Sequence, residues 1–270
     1  MKKLFLALAL LTLVPGNALA QAKITVNGST TMLPIMYRIV ESYAALHSDV
    51  AVTVTGAGSG NGVKALIDGY ADIAMSSRAL QDNEIKLAAD KNARLVSRPM
   101  AVDALCPIVN PANPVSGLSL EQLRGIYSGR ITNWREVGGE DQAIAVVSRD
   151  TSSGTFEAWR DLVMGGEAVF PGASMLASSG VVLQEVAHSR RAIGYEGYGY
   201  VSGAVKALEV DGVAGNLENA SSGRYKLARV LWLITSQDVR PEVAQFLDYV
   251  LGPQGRDIVT SGGAAPVGNK

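Results

Sequence analysis

The stretch Ser148-Arg149-Asp150-Thr151-Ser152-Ser153-Gly154-Thr155 joins an apolar run, residues 143–147, to a helix-like segment that starts at Phe156. This pattern predicts a strand, a short hydroxyl-rich loop and the first turn of a helix. The free N–H groups of a helix start and the positive end of its dipole favour an oxyanion there. Arg149 adds a planar fork of donors that suits sulfate, phosphate or carboxylate. Taken alone, the loop is better explained by Ser152 or Ser153 capping the helix.

Three other predicted strands end in loops of the same kind. Residues 24–27, 51–55 and 72–75 have strand-like sequences, and strands that alternate with helices indicate crossover units and a mainly parallel sheet. Ligands bind beyond the carboxyl ends of the strands in such sheets. The repetition favours one shared anion site over four unrelated caps. Its candidate residues are Ser29, Thr30, Thr31, Ser59, Ser77, Arg78, Arg149, Ser153, Gly154 and Thr155.

Two long extended runs divide the chain. Residues 95–109 are too long for one ordinary strand and are broken by Pro99 and Pro107, so we interpret them as a first crossing between domains. Residues 225–235 form a second extended apolar run, the return crossing, and residues 241–251 predict a helix packed on the first domain. We therefore expect an α/β fold with two lobes, residues 21–99 with 231–270 and residues 100–230.

The termini and the composition exclude several classes of protein. Residues 1–20 have the charged start, the apolar run and the small-residue ending of a signal peptide, which predicts secretion with cleavage near Ala20. The 24 Lys and Arg residues against 25 Asp and Glu residues argue against a nucleic-acid surface. One cysteine, Cys106, allows no internal disulfide. Neither His47 nor His188 has metal-ligand spacing around it, so no metal or cofactor is expected.

Four motifs, by their order and spacing, resemble the periplasmic phosphate-binding proteins of ATP-driven phosphate uptake transporters, particularly the shorter branch of that family. They are residues 28–34 (GSTTMLP), 58–64 (GSGNGVK), 72–78 (DIAMSSR) and 149–155 (RDTSSGT). The resemblance runs from about residue 24 to the C-terminus. It implies a two-lobed periplasmic binding protein fold of type II, with two α/β domains joined by paired hinge strands and phosphate buried between them.

The resemblance also implies roles for single residues. Thr30 and Ser59 would donate hydrogen bonds to phosphate from the first lobe, and the second lobe would donate from Arg149, Ser153, Gly154 and Thr155. The longer family members carry a carboxylate where this chain has Ser77, so we expect phosphate to be preferred over sulfate by a narrower margin. The family implies a periplasmic monomer that delivers phosphate to the membrane permease subunits of an ABC transporter.

Enzymes are the competing class. A serine hydrolase needs a G-x-S-x-G elbow, but Ala57 and Asn61 flank Ser59 at the glycine positions. The glycines of this loop also miss the G-x-G-x-x-G spacing of a dinucleotide site. A secreted phosphatase or hydrolase would need a metal cluster or an activated nucleophile, and neither is visible in the sequence. A binding protein for sulfate or molybdate, or an adhesion protein on the same scaffold, stays open.

Overall fold

The structure is a computed structural model and describes residues 21–268. The predicted signal peptide, residues 1–20, lies outside the described residues. The strands are β1 (Ala22–Gly28), β2 (Val50–Gly56), β3 (Ile73–Ser76), β4 (Leu95–Val109), β5 (Gly117–Leu118), β6 (Ala145–Arg149), β7 (Ser174–Leu176), β8 (Ala192–Gly197), β9 (Lys206–Ala207), β10 (Glu209–Val210), β11 (Ala228–Ser236) and β12 (Ala265–Pro266).

The helices connect these strands. They are α1 (Leu33–Ala44), α2 (Ser59–Ile67), α3 (Asp82–Asp90), α4 (Leu120–Tyr127), α5 (Gly154–Leu162), α6 (Ser179–His188), α7 (Leu217–Ser221), α8 (Pro241–Leu251) and α9 (Pro253–Ser261). Short 3₁₀ turns span Thr30–Met32, Trp134–Val137 and Tyr198–Tyr200. None of the helices within residues 21–268 is long and apolar enough to cross a membrane.

Local sequence signals explain where several helices begin. Pro34 and Pro241 lie in the first turns of α1 and α8, where a missing N–H costs no hydrogen bond. Ser119 caps α4, since its hydroxyl accepts from the Gln122 amide at 3.0 Å. The Gln122 side-chain oxygen accepts from the Ser119 amide at 2.8 Å in return, which completes a capping box.

One sheet carries most of the strands, in the order β2-β1-β3-β11-β4-β8-β6-β7, with β9 and β12 added to β4. Strand β1 runs parallel to β2 and β3, and β6 runs parallel to β7 and β8. Strand β4 is antiparallel to both β11 and β8. Two parallel groups therefore lie on either side of a long antiparallel pair, and the predicted crossover units are present.

The antiparallel pair β4 and β11 forms the two crossings that the sequence predicts. Residues 95–109 make one continuous strand, so the expectation that two prolines break this run is wrong. Pro99 is paired with Trp232, beside an irregularity where the β11 register shifts between Leu231 and Trp232, and a bulge tolerates a residue without an N–H. Pro107 lies inside the strand, opposite Tyr195.

Separate hydrophobic cores fill the two lobes. One core contains residues of β1, α1, α8 and α9 and reaches Met100 and Ala101 on β4. The other contains residues of α4, α5, α6 and β8 and takes in Ala104 and the strand residues after it. Along β11 the change of core falls between Ala228 and Leu231. Each lobe therefore buries its own apolar surface, and the connecting strands pass from one core to the other within a few residues.

Candidate oxyanion-binding site

Hydroxyl groups from four strand ends form one buried cluster. Ser77, after β3, accepts from Ser29 Oγ at 3.1 Å, and its own Oγ lies 3.3 Å from Ser59 Oγ and 3.5 Å from Thr155 Oγ1. Thr155 Oγ1 lies 2.9 Å from Thr31 Oγ1. All five side chains are buried. The structure thus brings together residues that the sequence holds in four separate loops.

Helices α2 and α5 begin at this cluster, and α6 begins beside it, where the Ser179 amide donates to Thr30 Oγ1 at 3.2 Å. Their first N–H groups and the positive ends of their dipoles give it partial positive charge. Ser153 caps α5, because its hydroxyl accepts from the amides of Thr155 at 3.2 Å and Phe156 at 3.3 Å. The capping role that the sequence left open is therefore realised at Ser153, whose own hydroxyl proton is still free to be donated.

Glycines allow the two lobes to meet closely at the cluster. A Cβ atom on Gly154 would lie 2.4 Å from Ser59 Oγ, and one on Gly58 would lie 2.5 Å from Ser152 Oγ. Gly58 also has a φ of 93°, in the range that favours glycine. The Gly60 amide donates to the Ser152 carbonyl at 3.0 Å across the same gap. Any side chain at Gly58 or Gly154 would push these loops apart.

Protein groups anchor three of the five N–H donors of Arg149. Its Nε donates to the Leu176 carbonyl at 3.2 Å, and one terminal nitrogen donates to the Ala177 carbonyl at 3.1 Å. The other terminal nitrogen contacts Glu196 Oε1 at 3.3 Å. The Arg149 side chain is only 1% exposed. These acceptors fix the plane of a fully buried guanidinium group.

The remaining two donors of Arg149 end on hydroxyls. One reaches Thr30 Oγ1 at 3.0 Å and the other reaches Ser179 Oγ at 3.1 Å. Thr30 and Ser179 belong to opposite lobes, and their hydroxyl oxygens lie 3.0 Å apart. A hydroxyl can exchange this acceptor role for a donor role, so this edge of the guanidinium group can be offered to an anion.

A second buried ion pair lies behind the cluster, on the two crossing strands. Arg229 of β11 donates through Nε to Asp103 Oδ2 of β4 at 3.0 Å, and these residues are direct partners in the strand register. Arg229 also reaches Thr31 Oγ1 at 3.4 Å. Burial raises the pKa of the Asp103 carboxyl, and the charge and hydrogen bond of Arg229 oppose that shift. The pair links the connecting strands to the hydroxyl cluster.

Arg78 is a predicted site residue whose guanidinium group pairs with glutamates and not with the hydroxyl cluster. Its guanidinium group makes two hydrogen bonds of 2.7 Å to the carboxylate of Glu84 in α3 and forms an ion pair with Glu157 of α5. Gln81 donates to the same Glu157 carboxylate at 2.8 Å. Arg78 therefore lies at a contact between the lobes beside the cluster, and its charge is already balanced by two glutamates.

Four residues at this site were absent from the sequence prediction: Ser179, Glu196, Asp103 and Arg229. Ser178 and Ser179 follow strand β7, so a fifth hydroxyl-rich strand end was available as a signal. Glu196 lies one residue before the end of a buried strand and is followed by glycines and tyrosines that indicate packing. Within residues 21–268 no group of three or more His, Cys, Asp or Glu side chains could hold a metal ion.

Comparisons with known proteins identify the family of the chain. Residues 14–254 match the model of the PBP superfamily domain. The chain is 30% identical to the phosphate-binding protein PstS of Borreliella burgdorferi over 252 residues, which covers 89% of this chain and 88% of that protein. It is 31% identical to the PstS of Bacillus subtilis over 254 residues, with 93% and 83% covered.

A solved structure resembles the whole fold. It is a phosphate ABC transporter substrate-binding protein from Clostridium perfringens with bound phosphate, 33% identical to this chain. The TM-score is 0.86, and the match covers 91% of this chain and 100% of the other. The similarity confirms the prediction of a two-lobed α/β fold of the periplasmic binding protein type.

Proposed function

Because the chain belongs to the PBP superfamily and, within it, to the PstS phosphate-binding proteins, we propose that it captures inorganic phosphate between its lobes and delivers it to an ABC transporter. The observation that carries the proposal is the buried meeting of Arg149 with hydroxyls from both lobes. A guanidinium fork, neutral hydroxyl donors and helix N-termini are together suited to a tetrahedral oxyanion. The chain is a binding protein and not an enzyme.

In the proposed complex, the contacts between hydroxyls are replaced by hydrogen bonds from the hydroxyls to phosphate oxygens. Thr30 and Ser59 donate from the first lobe, with Ser29, Thr31 and Ser77 beside them. From the second lobe Arg149 turns its two hydroxyl-bound donors to the anion, and Ser153, Gly154 and Thr155 donate from the start of α5. Arg78 supports this arrangement from the lobe contact, where Glu84 and Glu157 hold its side chain.

Entry of the anion requires the lobes to separate. The hydroxyls of Ser29, Ser59 and Thr155 belong to side chains that are no more than 2% exposed. Strands β4 and β11 are the connections at which such a movement can occur, because each passes from one core to the other. Phosphate then favours the closed form by its greater affinity for that form.

The lobe boundaries, the location and the partners proposed for the protein are those that the family implies. We propose lobes of residues 21–99 with 231–270 and residues 100–230, on either side of the hinge pair. Secretion to the periplasm after cleavage near Ala20, action as a monomer and docking to the membrane permease subunits complete the proposal. The net charge of −1 of the full sequence argues against a nucleic-acid partner and does not argue against a small anion.

A thermal-shift panel of phosphate, sulfate, arsenate and molybdate tests the proposal. A ligand at about 100 times its dissociation constant should stabilise the protein by about 2.7 kcal/mol. We expect the largest shift with phosphate or its isostere arsenate. Incubation with p-nitrophenyl phosphate should give no turnover. A larger shift with sulfate or molybdate would favour the alternative, a carrier for another tetrahedral oxyanion, and turnover would favour a phosphatase.

A further inference from the structure

Glu196 has a carboxylate oxygen without a partner in the middle of the protein. The residue is the penultimate one of strand β8 and is 0% exposed. Its Oε1 atom contacts Arg149 at 3.3 Å, and its Oε2 atom has no hydrogen-bond partner among residues 21–268. A buried, unpaired lone pair on a charged oxygen is costly. Protonation of Oε2 removes the charge that causes this cost.

The neighbouring buried carboxylate is paired far better. Asp103 Oδ2 accepts from Arg229 at 3.0 Å, and Asp103 Oδ1 accepts from the Tyr198 amide at 3.1 Å. Both of its oxygens therefore have donors, whereas Glu196 Oε2 has none among residues 21–268, and the donors near its carboxylate are Arg149, at 3.3 Å from Oε1, and the Ser179 hydroxyl. When the charge of the region changes, Glu196 is the carboxylate that gains a proton most easily.

The charges around Glu196 are balanced before any anion arrives. The groups that face it are Arg149 on β6, Arg229 on β11, Asp103 on β4, Tyr127 on α4, Tyr195 on β8 itself, Ser179 on α6 and Tyr200 in a 3₁₀ turn. With both carboxyl groups ionised, Asp103 and Glu196 balance the charges of the two arginines. A phosphate dianion would leave unbalanced negative charge in this buried region, because helix starts supply only partial charges.

We infer that Glu196 takes up one proton from solvent on Oε2 when inorganic phosphate binds. This inference rests on the proposed function. The carboxylate becomes a neutral carboxylic acid. Arg149 then pairs with the anion in place of the Glu196 carboxylate. Burial already raises the pKa of Glu196, while Arg149 opposes the shift; an anion beside Arg149 raises the pKa further.

The pH dependence follows from the sign of this change. A carboxyl group whose pKa rises on binding contributes its full extra affinity below the pKa of the free state and has lost it once the pH exceeds the pKa of the bound state. Buried glutamates reach pKa values of about 8–9. Between the pKa values of the free and bound states, affinity should fall by up to about tenfold per pH unit.

Calorimetry with inorganic phosphate at about pH 8.5, where the anion is almost wholly HPO₄²⁻, separates this effect from the titration of phosphate itself. Titrations in buffers of different ionisation enthalpy give the number of protons taken up. We expect the wild type to take up a measurable fraction of a proton at this pH, and Glu196→Gln, which keeps the shape of the neutral acid, to take up none. Glu196→Gln should also bind more tightly than the wild type at this pH. Asp103→Asn, the matched variant of the other carboxylate, should still take up the proton.

A second readout needs no variant. The infrared difference spectrum of the wild type with and without phosphate should gain a band of a protonated carboxyl group, which is absent in Glu196→Gln if that protein folds. Proton uptake that persists in Glu196→Gln, or that disappears only in Asp103→Asn, would overturn the inference. Phosphate binding by the wild type with no proton uptake and no carboxyl band would overturn the inference alone. Absence of phosphate binding would overturn the proposed function and the inference with it.

Discussion

Arg78 of the first lobe and Glu157 of the second form an ion pair across the cleft, with both side chains nearly buried. Arg78 keeps a second partner, Glu84, within its own lobe. The two partners given for Glu157, Arg78 and Gln81, both belong to the other lobe. Opening the cleft would therefore cost Glu157 its contacts while Arg78 stays paired. The two residues form a contact that stabilises the closed form without touching the hydroxyl cluster.

We therefore expect Glu157→Gln to weaken phosphate binding by loosening closure. The loss of one charged contact should cost about 1–2 kcal/mol, which is about five- to thirtyfold in affinity. The effect should lie mainly in the dissociation rate, measured by stopped flow. Asp161→Asn is the matched control, because Asp161 lies on the same helix in an exposed pair with Arg160. Equal dissociation rates in Glu157→Gln and Asp161→Asn would remove Glu157 from closure.

Arg149→Ala should cripple phosphate binding. Charge-assisted hydrogen bonds contribute roughly 1.5–3 kcal/mol each, and the fork has two donors to offer, so at least ~100-fold weaker binding is expected. Calorimetry measures the loss, and circular dichroism checks that the variant folds. Arg160→Ala, a half-buried arginine of α5 that pairs with Asp161, is the control. A loss below about threefold for Arg149→Ala would mean that Arg149 is not in the site.

Phosphate should reduce the radius of gyration measured by solution scattering. The closed arrangement brings Tyr200 Oη to 2.7 Å from the Thr30 carbonyl across the lobes, a contact that separation would break. Phosphate can favour this form only through its differential affinity. The same titration on Arg149→Ala should leave the curve of the free protein unchanged. Identical wild-type curves with and without saturating phosphate would count against lobes that move.

The ratio of phosphate affinity to sulfate affinity should be smaller than it would be with a carboxylate in place of Ser77. Ser77 can donate or accept, whereas a carboxylate would face an unprotonated sulfate oxygen with lone pairs. Asp150 is occupied locally, because its Oδ1 accepts from the Ser152 amide at 2.9 Å and the Ser152 hydroxyl at 2.6 Å. Competition calorimetry should show a higher phosphate-to-sulfate ratio in Ser77→Asp and little change in Asp150→Asn. Rejection of sulfate by more than ~10⁴-fold in the wild type would show that the margin is not narrow.

Much of the fold was readable from the sequence because its signals are local. Apolar runs that end in hydroxyls and lead into helical periodicity predicted β1, β2, β3 and β6 with the helices after them. Helix α9 was not predicted, since Pro253–Ser261 buries only Gly255 and Val259 and so lacks a clear apolar face. The continuous strand through Pro99 was missed because a bulge, which depends on the partner strand, accommodates the proline.

The site was only partly predictable, because some of its contacts are not local in the sequence. Loop composition pointed to Arg149 and the hydroxyls, but the partners of a charged side chain are fixed by tertiary contacts. Arg78 looked like an anion ligand in the sequence, while the structure pairs it with Glu84 and Glu157 from two other helices. Arg229 lies in an apolar run, and only the register of β11 against β4 puts it beside Asp103.

The most direct test of the account is a crystal structure of the protein grown with phosphate, since it locates the anion itself. We predict phosphate between the lobes, within hydrogen-bond distance of Arg149 and of hydroxyls from both sides of the cleft, Thr30 and Ser59 on one and Thr155 on the other. The hydroxyl-to-hydroxyl contacts described above should then be replaced by contacts to phosphate oxygens. Phosphate bound at another place, or bound by one lobe alone in a fully closed molecule, would contradict the account.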